Sequence, residues 1–225
     1  MERSALLTLI ALLLSPLVAV AGEPDNSWSL IREGEQISVY SRDVADSKYN
    51  ESLAQTFIKV RLSALVALIL DGNSHVRWVN TVDDSRQIDI ISPTEVHNYT
   101  YSGAPWPVDD RDAIVNTQAS QDSETLIVTI QSYAAPDYIS QIDGVVRVPY
   151  VDSTWTLIPV GDGKIEVNFR VHSEPGGEIP TWLTNNLASD QPYYTLNNLH
   201  RFFNRENEYF DRELPFIREP GEQPQ

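Results

Sequence analysis

The spacing of hydrophobic positions along the chain switches between two periods. Residues 36–44, "QISVYSRDV", and 51–60, "ESLAQTFIKV", alternate apolar and polar side chains, the mark of half-buried strands. Between Arg61 and Val82 the period lengthens. Leu62, Leu65, Val66, Ile69 and Leu70 fall on one helical stripe that stops at Asp71-Gly72, and "SHVRWVNTV" predicts a second, shorter helix opened by Ser74. From Ser85 to Ser173 the period returns to two, in "RQIDIIS", "EVHNYTYS", "AIVNTQA", "TLIVTIQSY", "VDSTWTLIPV" and "KIEVNFRVHS". Ser92-Pro93, Asp143-Gly144 and the Gly-Asp-Gly at 161–163 are expected to turn hairpins between them. The final periodic stretch, residues 179–210, predicts a helix of about eight turns bent at Pro192, which lacks a backbone donor.

Strands, two helices, a long antiparallel meander and a terminal helix make an α+β arrangement in which a curved sheet wraps a long helix. A sheet that curves round a helix without filling the space beneath it leaves an apolar cavity, the usual site of a small-molecule ligand.

Composition narrows the picture. The 225 residues, 41% hydrophobic, suit one large domain. Residues 5–20 form an apolar run behind Arg3, followed by Ala19 and Ala21 at the spacing of a signal-peptidase site. We therefore expect residues 1–21 to be a signal peptide and the mature protein to be exported, either periplasmic or secreted; an uncleaved N-terminal anchor is the alternative. A domain over 22–212 and a disordered, proline-rich tail over 213–225 complete the expected organisation. The chain has no cysteine, which excludes thiol catalysis and thiolate metal sites. Its net charge of −16, with no basic run, argues against nucleic acid as a partner and against electrostatic adhesion to anionic lipid. Any transient membrane contact would then be apolar or protein-mediated.

Catalytic chemistry finds little support. Asp109, Asp110 and Asp112 are clustered, but neighbouring residues on a strand point to opposite faces and cannot flank one bond. Asp112 is expected to pair with Arg111 at the start of a strand. His75, His97, His172 and His200 are scattered, with no His-Glu-x-x-His motif, so no metal site and no cofactor are expected. Trp106, Trp155 and the tyrosines read as core.

Several motifs stand in an order similar to that of the StAR-related lipid-transfer (START) domains, over Trp28 to about Phe203. Trp28 opens "WSLI", and Trp78 closes the short helix after "DGNSHVR". "PWPVDDRD" supplies the landmarks Pro105, Trp106, Pro107, Arg111 and Asp112, "GVVRV" follows at 144–148, and "EPGGEIPTWLTN" leads into the terminal helix. The resemblance implies the helix-grip fold and a tunnel between sheet and terminal helix that takes one lipid. It implies a non-catalytic, monomeric carrier, with the terminal helix hinged at Gly176-Gly177 as a lid and the loop "YAAPDYISQIDG" as a second gate. An enzyme of the wider helix-grip superfamily, cyclase- or hydrolase-like, is the alternative. Ligand-binding residues implied by the resemblance are His75, Trp78, Asn98, Thr100, Ala113, Thr117, Val151, Trp182, Leu183 and Leu187. Thr100, Ala113 and Val151 stand where choline-binding members place an aromatic cage, and none offers a π face. Asn98 and Thr117 stand where sterol-binding members place an acid–arginine pair, and both are uncharged. The ligand expected is a lipid or other hydrophobic small molecule, of undetermined class.

Overall fold

The computed structural model describes residues 27–179 and 181–222, with the side chains of 181–188 outside the described set. The expected signal peptide, and Trp182, Leu183 and Leu187 as ligand contacts, therefore lie outside the described residues. The elements follow in order: β1 (Ser29–Glu33), β2 (Ile37–Arg42), β3 (Glu51–Lys59), α1 (Leu62–Leu70), a 3-10 helix (Gly72–Arg77), β4 (Asp84–Ser92) and β5 (Glu95–Ser102). Then come β6 (Asp110–Gln121), β7 (Val128–Ala134), β8 (Val145–Arg147), β9 (Tyr150–Gly161), β10 (Lys164–Glu174) and α2 (Thr181–Phe203). All strands join one sheet in the order β1-β2-β3-β10-β9-β7-β6-β5-β4, antiparallel throughout except that β8 pairs in parallel with β6. This is the expected α+β helix-grip arrangement.

Local chemistry departs from expectation at three turns. The segment after α1 is a 3-10 turn capped by Asp71, whose carboxylate accepts from the Asn73 N–H at 3.0 Å. Ser74 instead turns its hydroxyl back to the Asp71 carbonyl at 2.8 Å. Asp143-Gly144 does not close a hairpin; it feeds β8, which lies beside Asp110–Asp112 of β6. The terminal helix stops at Phe203, so its 23 residues span about 34 Å at the standard rise rather than eight full turns.

Every residue of α1 except Ala67 is buried. A helix that is apolar on all sides must be covered on all sides, and the cover includes the segment expected to be a disordered tail. Residues 213–222 pack instead of dangling: Ile217 is buried, and Leu214 and Phe216 lie against the core. The reason is a cap. Arg61, at the N-cap of α1, makes no side-chain capping bond. The Glu219 carboxylate takes the free N–H groups of Leu62 and Ser63, at 3.0 and 2.9 Å, and the Ser63 hydroxyl. Gln121 and the backbone of Arg218 exchange two further bonds at 2.8 and 2.9 Å.

The C-terminal half of α2 is fastened to the first strands. Leu196, Leu199 and Phe203 are buried, and His200 Nε2 lies 2.7 Å from the Thr56 hydroxyl of β3. Arg32 of β1 pairs with Asp190 and lies 3.7 Å over the Tyr193 ring. Gly34 is required there, because a Cβ at that position would stand 2.5 Å from the Tyr193 hydroxyl.

Glu219→Ala strips the α1 terminus of two N–H acceptors and a charge favoured by the helix dipole. It should lower the unfolding free energy by about 1–2 kcal/mol, read as a lower urea midpoint; an unchanged midpoint would show that the cap carries no weight.

Candidate functional site

Strand alternation builds the site. On β6, Arg111, Ala113, Val115 and Thr117 share the face turned toward α2, while Asp112 and Ile114 face the other way. Pairing sets the same phase on the neighbours: Trp155 stands opposite Phe169, Val151 opposite Ser173, and Ser102 opposite Arg111. These inward residues, with Gln191, Pro192 and Thr195 of α2 above them, enclose a cavity of about 510 Å³. Its floor is aromatic. Trp155 stacks on Phe169 at 4.1 Å and meets Trp78 edge-on at 5.7 Å. Register puts Ser102 beside Arg111 at the other end, and the loop residues Gly103, Ala104, Pro105, Pro175 and Ile179 add to the wall.

Of the expected ligand residues, the lining includes His75, Trp78, Thr100, Ala113, Thr117 and Val151. His75 is a neutral group. Burial pushes its pKa down, and its Nε2 donates to the Ile69 carbonyl at 2.9 Å, so it brings no positive charge to a head group. The Thr117 and Ser132 hydroxyls are bonded to each other at 2.8 Å.

Asn98 is a correction. It is fully buried outside the lining, donates to the Leu70 carbonyl at 3.3 Å and packs on Gly72, where a Cβ would fall 2.3 Å from its Oδ1. It fixes the turn after α1 and cannot also contact a ligand.

Trp106 is a second correction. It is 92% exposed and anchors nothing, although its neighbours Ala104 and Pro105 line the cavity. The ion pair at the start of β6 is a third. Asp112 pairs with Arg147 of β8, bidentate at 2.7 and 2.9 Å, with both side chains almost wholly buried. The same guanidinium donates to the carbonyls of Pro136, Ile139 and Ser140. The loop expected as a second gate is thus tied down by a buried cation, and none of its residues from 135 to 144 lines the cavity. Tyr138 adds a latch, stacked on His97 at 3.9 Å with its hydroxyl 2.7 Å from Asp89.

Arg111, Val115, Ser153, Trp155, Phe169 and Val171 line the cavity and were not among the expected ligand residues. The signal for them was present: once Ala113 and Val151 are placed inward, period two carries Arg111, Val115, Ser153 and Trp155 with them. Among the described residues no cluster of histidines and carboxylates could hold a metal ion, and no carboxylate lines the cavity.

Removing the charge of Asp112 leaves the Arg147 guanidinium buried without its anion. Asp112→Asn should cost about 3–5 kcal/mol in chemical denaturation, whereas Asp112→Leu with Arg147→Met, which removes both charges, should cost much less. Equal losses in the two proteins would assign the effect to packing alone.

The comparisons agree with this geometry. The START domain model matches residues 13–208. An uncharacterized protein of Pseudomonas aeruginosa is 31% identical over 174 residues, 76% of this chain and 84% of its own length. The crystal structure of a STAR-related lipid transfer protein fragment from Xanthomonas axonopodis superposes with a TM-score of 0.74 at 30% identity, over 80% of this chain and all of that one. Human StAR-related lipid transfer protein 5 shares the fold, with a TM-score of 0.69 at 15% identity over 81% and 90% of the two chains. With its family motifs in register on a helix-grip sheet closed over a cavity, the chain belongs to the START domain family and is built to bind a hydrophobic ligand.

Proposed function

We propose that this protein is a non-catalytic carrier that takes one lipid or similar hydrophobic molecule into its cavity and passes it between membranes. The observation that carries the reading is the cavity wall. It combines apolar and aromatic side chains with a few hydroxyls, and it lacks the convergent titratable groups that a hydrolase or cyclase would need. Each methylene buried in a dry site gains about 0.8 kcal/mol. A chain leaving a bilayer is already dry, so the cavity need only match the membrane, and the barrier lies in opening.

Opening has a natural place. Gly176 and Gly177 lead into α2 with φ of 67° and 61°, a left-handed geometry that side chains disfavour. A Cβ on Gly176 would also press on Pro149 and Val146 at 3.1 and 3.2 Å. α2 is pinned to β1 and β3 from Asp190 onward, so motion about this hinge would fall on the turns between Thr181 and Asp190, at the edge of the cavity roof.

Exposed Trp106 gives the carrier a means of touching a membrane. The chain's negative charge repels anionic lipid, so contact must be apolar, and an indole standing next to the cavity wall suits the bilayer interface. The leader-like residues 1–21 would place this work outside the cytoplasm, in the periplasm or beyond.

Native mass spectrometry of protein purified without detergent should find a single co-purified lipid mass per chain. An empty protein that turns over a small substrate would sink the carrier reading. Ala113→Phe, which fills the cavity, should abolish the bound mass while leaving the fold intact by circular dichroism. Trp106→Ala should keep the bound lipid yet slow transfer between vesicles by about tenfold, since burying such a ring is worth about 1.5–3 kcal/mol; unchanged transfer would exclude this contact.

A further inference from the structure

Among the described residues, Arg111 is the only lysine or arginine that lines the cavity, and no aspartate or glutamate lines it. That is unexpected in a chain with 32 acidic residues against 16 basic ones. Its own partners do not neutralise it. Nη1 donates to the Asp109 carbonyl, and Nη2 reaches the carbonyls of Gly176 and Glu178 only at 3.4 and 3.5 Å. Nε is buried without an acceptor. The flanking carboxylates are engaged elsewhere: Asp112 on Arg147, and Asp110 on the Tyr101 hydroxyl and the Ala104 N–H. Among the described residues no carboxylate comes within ion-pair distance of Arg111, whereas Arg32, Arg42, Arg147 and Arg170 of the same sheet each have one. A half-buried guanidinium with weak neutral acceptors is a site for an anion, since charge-assisted bonds are roughly twice as strong as neutral ones.

The cavity of about 510 Å³ has room for an acyl chain behind that anion. The chain would run from Arg111 at the loop end toward the floor of Trp78, Trp155 and Phe169.

We infer that the cavity takes an amphiphile with an anionic head, a carboxylate or a phosphate monoester, and that Arg111 binds that head. The inference rests on reading the cavity as a lipid site. Arg111 also touches the hinge carbonyls, so the head group replaces two long neutral bonds at the foot of the lid with one charged contact.

The test is displacement of the uncharged fluorescent probe N-phenyl-1-naphthylamine by dodecanoate, dodecyl phosphate and dodecanol, each below its micellar concentration. On the native protein both anions should displace the probe at about tenfold lower concentration than the alcohol, the advantage expected of a hydrogen bond to a charged group. Whichever anion is tighter identifies the head. Arg111→Gln should bring all three ligands to the affinity of dodecanol, and Arg111→Lys should keep part of the preference. Dodecanol matching the anions on the native protein would overturn the inference while leaving the carrier intact, and so would an anion preference that survives Arg111→Gln. A probe that never binds would overturn both.

Discussion

The two-residue alternation of an extended strand is the constraint on which the rest of this molecule depends. On β6 it sends Arg111 into the cavity and the adjacent Asp112 to the opposite face, where Asp112 closes a buried ion pair with Arg147. Neighbours in sequence thereby do separate work. One offers an unneutralised charge to the interior, while the other locks β8 and the preceding loop against the outer face. A slip of one residue in this register would exchange the two, burying a carboxylate in an apolar cavity and leaving a guanidinium outside. The parallel pairing of β8 with Asp110–Asp112 holds that register from outside.

Much of the fold was legible in the sequence because period two and period 3.6 are direct consequences of backbone geometry. The meander, α1 and the terminal helix all follow from it. What escaped was settled by contacts distant in sequence. Glu219 caps a helix that begins 157 residues earlier, and no local pattern in a proline-rich tail announces such a bond. Arg147 likewise chooses Asp112 over any nearer acid because β8 lies beside β6, a pairing that a loop-like Asp-Gly signal does not reveal.

The site divides in the same way. The family resemblance named Thr100, Ala113, Thr117 and Val151, and strand phase extends them to inward neighbours such as Arg111, Val115 and Ser153. Asn98 failed because resemblance assigned it a role where Gly72 leaves room only for a structural amide. Trp106 failed because large aromatic residues are usually buried, and only the loop's path shows this one standing in solvent beside the cavity wall. Its exposure and the presence of Arg111 in the wall set this end of the cavity apart from a filled core.

The claim that a hydrophobic chain lies between the sheet and α2 has a direct optical test. Trp78 and Trp155 form the cavity floor, so a protein in which Trp28, Trp106 and Trp182 are all replaced by phenylalanine reports from inside rather than from the surface. A dibrominated single-chain lipid should quench its tryptophan fluorescence in a saturable way, at one lipid per chain. Quenching that requires Trp106, or that never saturates, would place the lipid on the surface and contradict this account.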